Sequence, residues 1–102
     1  MGFFDRLNDF GERELVKAVA MRIDVGLQQL ERETSPQMIA GLTYALKEEV
    51  DNMQILANKL TYESKSCLKV KCKGTKISYF DFLSHIAIIS ERFINKGGCP
   101  LI

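Results

Sequence analysis

At 102 residues the chain is long enough for one domain with a real core. Its 46% hydrophobic and 26% charged residues are ordinary for a soluble globular protein. A formal net charge of +1 leaves no overall field to recruit nucleic acid or an anionic membrane. No apolar run approaches the ~20 residues of a membrane span. The N-terminus has no basic region followed by an apolar block, so no secretory signal is read there. Three cysteines are an odd number for a disulfide framework, and they are read as reduced thiols in a cytoplasmic setting.

Residues 2–10, GFFDRLNDF, make a short amphipathic piece with Phe3, Leu7 and Phe10 on one helical face. Gly11 follows and is a candidate bend. Residues 12–32 carry Leu15, Val16, Val19, Ile23, Leu27 and Leu30 on one face, while Lys17, Asp24, Gln28, Glu31 and Arg32 point away. The N-terminal helix is thus predicted over 2–32. If it is bent at Gly11, both apolar faces reach one core. If it is unbroken, Phe3, Leu7, Phe10, Met21 and Val25 form a second stripe without a partner inside the domain.

Glu33 and Thr34 are a short link, and residues before a proline avoid the helical region. Ser35 is a good N-cap and Pro36 suits the first helical position, so a central helix is predicted over 35–62, antiparallel to the first. Its buried stripe is Met38, Ile39, Leu42, Leu46, Val50, Met53, Ala57 and Leu60. Glu49 falls inside that stripe. A desolvated carboxylate needs a partner, so Glu49 is expected at the stripe's edge or paired with a donor from another helix, with Arg92 and His85 the candidates.

Residues 63–77 form a basic loop or ribbon. Leu68, Val70 and Cys72 alternate with Lys69, Lys71 and Lys73, which is strand periodicity, and Gly74 supplies a turn; no second convincing strand is visible. Ser78 then caps a last helix, predicted over 78–95, with Asp81 at its third position. Tyr79, Phe82, Leu83, Ile86, Ile89, Phe93 and Ile94 make its buried face, and Phe80 and Ile88 lie outside it. The expected fold is all-α: three main antiparallel helices, a helical hairpin plus a third helix, with the short basic segment before the last.

The inventory for chemistry is thin. There is one histidine, His85, and no phosphate-binding glycine loop, paired-histidine zinc motif or serine elbow. Cys67, Cys72, Cys99 and His85 are zinc-ligand types, but their spacing contains no second close pair, so no metal, cofactor or catalytic residue is assigned. Cys99-Pro100-Leu101-Ile102 fits the short C-a-a-X pattern only with an atypical proline, and Arg6 stands where a myristoylation start wants Ser or Thr. The expected function is a non-enzymatic protein-binding module, an adaptor, inhibitor or assembly factor. It acts through apolar helix faces, as a homodimer or on a different protein, with Phe3, Leu7, Phe10, Met21 and Val25 at the contact. The alternative is a nucleic-acid-binding module using Lys65, Lys69, Lys71, Lys73 and Lys76.

Overall fold

The computed structural model describes the backbone from residue 3 onward and the side chains of residues 10–102. Four helices and one hairpin follow in the order α1 (Phe3–Glu31), α2 (Pro36–Ala57), α3 (Tyr62–Cys67), β1 (Lys69–Cys72), β2 (Thr75–Ser78) and α4 (Tyr79–Ile94). The architecture is all-α, a helical hairpin followed by further helices, with one small antiparallel ribbon.

Gly11 does not bend α1, which is helical through all 29 of its residues. One glycine costs about 1 kcal/mol in a helix interior, less than the packing of the long apolar stripe behind it supplies. Ser35 caps α2 by accepting the Met38 N–H at 3.5 Å, and Pro36 opens the first turn. The short link folds α2 back antiparallel along α1. At Gly26 the two helices pack closely enough that an added Cβ would lie 2.5 Å from Leu46 Cδ2. A side chain there would force Leu46 out of its place. One turn further along the hairpin, Arg22 Nη2 donates to Glu49 Oε2 at 3.1 Å. Glu49 is therefore an edge residue with a partner, but the partner is Arg22; antiparallel pairing brings α1, not α4, level with it.

α2 ends at Ala57. Asn58 and Leu60 close the last turn with N–H bonds to Gln54 and Ala57 carbonyls, and Thr61 restarts a helix by accepting the Ser64 N–H at 3.1 Å. Helix α3, Tyr62–Cys67, thus stands where the sequence offers only a fading helical signal. The ribbon has the second strand that the sequence reading lacked. β1 pairs with β2 in the register Lys69↔Ser78, Val70↔Ile77, Lys71↔Lys76 and Cys72↔Thr75. Lys73 (φ 52°) and Gly74 (φ 83°) form the two-residue turn, both at the positive φ that a type I′ hairpin turn requires.

One core joins these elements. Val16, Ile23 and Leu27 of α1 meet Ile39, Val50 and Met53 of α2, the underside of the ribbon at Val70 and Cys72, and Phe82, Ile86 and Ile89 of α4. Ser78 caps α4 by accepting the Asp81 N–H at 3.1 Å. Leu15, Met38 and Ile94, assigned by their pitch to buried stripes, are exposed. Each lies at a margin of its stripe, where the neighbouring helix no longer reaches. Leu42 and Leu83 are partly buried against the core.

Candidate functional site

Because α1 is unbroken, its apolar residues point in two directions. Val16, Ile23, Leu27 and Leu30 are wholly or almost wholly buried on the inner side. Phe10, Met21 and Val25 are 56%, 57% and 65% exposed on the outer side. At about 100° per residue these three fall within an arc of roughly 60°. Glu14 and Lys17 lie between them along the same side and form an ion pair at 3.3 Å. The side chains of Phe3 and Leu7, the other two residues assigned to this surface, lie outside the described residues. Toward the C-terminal end of α1 the surface continues into a shallow, open depression of about 330 Å³ lined by Val25, Gln28, Gln29 and Arg32. The pairing of Arg22 with Glu49 and of Gly26 with Leu46 sets the end of α2 level with the middle of α1. The N-terminal turns of α1 therefore run on past α2.

The lysines of the ribbon separate into two groups. Lys65 Nζ donates to Asn58 Oδ1 at 3.0 Å, and Lys73 Nζ pairs with Glu31 at 3.4 Å. Both are tied to the body of the protein. Lys69, Lys71 and Lys76 stand exposed, without an ion pair among the described residues. Lys71 and Lys76 are directly opposite each other across the ribbon. Like charges so placed repel, and a bound anion would relieve them. No aromatic side chain stands between these lysines along either strand.

The ribbon's inner face is anchored by a residue whose pitch had assigned it to solvent. Asp24 is only 9% exposed. Its two carboxylate oxygens accept the Lys73 N–H, each at 3.2 Å, and Oδ2 also accepts from Gln28 Nε2 at 3.1 Å. A buried carboxylate persists only with such donors. Burial pushes the Cys72 thiol above its ordinary range, and the negative charge of Asp24 adds to the rise. A thiol held protonated in this way is a poor nucleophile at neutral pH.

The remaining candidates do not converge. Cys67 is exposed, Cys72 buried and Cys99 partly buried, and all three are free. Among the described residues no group of three or more His, Cys, Asp or Glu side chains is placed to hold a metal ion. His85 is half-buried with its ring stacked on Phe82, centroids 6.4 Å apart, and its Nε2 is buried without a partner among the described residues. It meets neither a thiol nor Glu49. The segment from Cys99 is docked rather than free. The Cys99 N–H donates to Thr43 Oγ1 at 3.0 Å, the Leu101 N–H donates to Ser90 Oγ at 2.9 Å, and Leu101 is fully buried. Modification of Cys99 as a C-a-a-X thiol would require this segment to leave the core. Thr43 and Ser90, which hold it, carry no sequence signal beyond being small polar residues on otherwise apolar faces.

Comparison with protein-family models, with curated proteins and with solved structures finds no match to the chain. No described helix is long and apolar enough to cross a membrane.

Proposed function

We propose that the chain is a non-enzymatic protein-binding module whose contact surface is the outer side of α1, working as an adaptor, inhibitor or assembly factor. The observation that carries this reading is the line of Phe10, Met21 and Val25 on one side of an unbroken helix, each more than half exposed. Scattered apolar side chains on a surface are ordinary, but a line of large ones along one helix face is the form of a docking face. Met and Phe are also among the residue types enriched at interface centres. The three free thiols fit a reducing, cytoplasmic setting. Met21→Asp and Val25→Asp in the full chain test the reading. Both variants are expected to keep the thermal unfolding curve and to lose the proteins retained by the wild-type chain in affinity capture. Retention of the same proteins by both variants would refute it.

A second reading, nucleic-acid binding through the ribbon, is favoured by Lys69, Lys71 and Lys76 standing together without ion pairs among the described residues. With three phosphate contacts, the affinity for duplex DNA would fall with a log–log salt slope of about −2.7. A salt titration with duplex DNA measures it, and Lys71→Glu would abolish it. Absence of binding at low salt excludes this reading.

A further inference from the structure

We infer that residues 97–101 are a latch. Docked, this strap ties α2 to α4. It opens as a unit while the helices stay folded, and opening uncovers an apolar slot between the two helices.

The path of the chain after α4 carries this. It reverses at Gly97, whose φ of 98° lies in the left-handed region that glycine enters without strain. The Gly98 N–H donates to the Phe93 carbonyl at 2.9 Å. Gly98 runs so close to both helices that an added Cβ would lie 2.8 Å from Phe93 O and 3.1 Å from Thr43 Cγ2. The Cys99 N–H then donates to Thr43 Oγ1 on α2, and the Leu101 N–H donates to Ser90 Oγ on α4. The Leu101 side chain enters the core and is fully buried. The two hydroxyl anchors thus fall on different helices, and the strap bridges them.

The choice of anchors suits a segment that comes and goes. Asp24, Thr43 and Ser90 are the buried polar side chains among the described residues. Asp24 holds the ribbon; Thr43 and Ser90 both hold the strap. Valine at 43 and alanine at 90 would fill similar space in a permanent core. A hydroxyl serves both states, since it accepts the strap's N–H when docked and meets water when the strap is away. Thr43 Oγ1 also donates to the Ile39 carbonyl at 2.7 Å, which leaves its acceptor side to the strap.

The attachment is slight. The last helix ends at Ile94, so no helix or strand includes the strap. It is held by the bond to Phe93, two side-chain acceptors and one leucine, while Pro100 and Ile102 stand exposed. Gly97 and Gly98 give up more backbone freedom on docking than any other residue type would. A segment with few buried apolar contacts and no backbone ladder opens well before the whole fold does.

Amide hydrogen exchange in the full chain tests the latch. After correction for intrinsic rates, the Cys99 and Leu101 amides are expected to share one opening equilibrium. Their exchange should be unchanged across low urea and faster than that of the Ile23 amide, which waits for global unfolding. Thr43→Val removes the acceptor of Cys99 alone, yet it is expected to speed exchange at Leu101 about tenfold. Leu101→Ala leaves Thr43 in place, yet it is expected to speed exchange at Cys99 by about thirtyfold or more. Effects confined to the altered anchor would overturn opening as a unit. Exchange at Leu101 as slow as at Ile23, and rising with urea in parallel, would show the strap to be a fixed part of the core. Absence of protection at both amides would show that the strap does not dock. If either variant fails to fold, the urea dependence of the wild-type chain decides alone.

Discussion

Ile23 and Val25 stand two positions apart on α1 and are alike in chemistry, yet Ile23 is fully buried and Val25 is 65% exposed. Two residues of helix turn the side chain by about 200°. That rotation moves it from the side packed on α2 and the ribbon to a side left open among the described residues. The contrast shows that hydrophobicity in this chain marks two different surfaces, one closed within the domain and one left open.

The sharpest way to break this comparison is to truncate both residues. Ile23→Ala is expected to cost about 2–5 kcal/mol through lost transfer energy and the cavity left behind. Val25→Ala is expected to lie within about 0.5 kcal/mol of wild type, as an exposed substitution should. Urea unfolding of the dilute chain measures both. Equal losses would mean that the outer side of α1 is covered within the domain, which would remove the basis for treating it as a binding face.

The parts of the fold that were legible in the sequence are those set by local rules. Ser35 with Pro36 and Ser78 with Asp81 mark helix starts through groups only one turn apart. The central apolar residues of each stripe, such as Ile23, Val50 and Ile86, follow from helical pitch. The parts that were not legible depend on partners distant in the chain. Asp24 is buried because Lys73 reaches it across 49 positions, and Thr43 because Cys99 does so across 56. A helical wheel places residues by polarity alone and so set Asp24 on the solvent side. β2 escaped because Thr75-Lys76-Ile77-Ser78 has a single apolar residue and no alternation. On the candidate surface, the exposed apolar stripe could be deduced as the consequence of an unbroken helix, but whether the helix was broken could not. The partner of Glu49 was misassigned because the pairing of α1 with α2 fixes which residues come level.

Within the ribbon, Asp24 and Lys73 offer a second contrast, between a helix residue held inside and a turn residue held in an unfavourable conformation. Asp24→Ala is expected to cost about 1–3 kcal/mol, because the Lys73 N–H loses its acceptor. The loss should appear in hydrogen exchange first at Lys73. Protection at that amide unchanged in the variant would show that the carboxylate is not its anchor. A smaller effect of opposite sign is expected from Lys73→Asn. A non-glycine residue at positive φ is disfavoured, and asparagine tolerates that region better. Its backbone N–H keeps its bond to Asp24, while the exposed pair with Glu31 contributes little. A gain of about 0.5 kcal/mol in chemical denaturation would agree with the turn geometry, and a loss of that size would show the Lys73–Glu31 pair to be the stronger influence.

The smallest effect at neutral pH is that of the Cys72 thiol, whose consequence emerges only in alkali. Burial raises its pKa in the folded chain above the ordinary value of 9.0, with Asp24 adding to the rise, and burial raises that of Tyr79 above 10.0. Both groups are protonated at pH 7 whether the chain is folded or not, so neither contributes to a pH dependence there. Above about pH 9 the unfolded chain releases the Cys72 proton while the folded chain keeps it. The folded state then binds more protons than the unfolded one, and stability falls as pH rises toward the folded pKa. The fall attributable to Tyr79 begins about one unit later. Cys72→Ala removes the earlier component and leaves the later one. The stability of wild type minus that of Cys72→Ala should be constant from pH 6 to 8 and should decrease above about pH 9. A difference that stays constant through pH 10.5 would show that the thiol is not desolvated against Asp24, and that the ribbon is held to α1 through the Lys73 N–H without it.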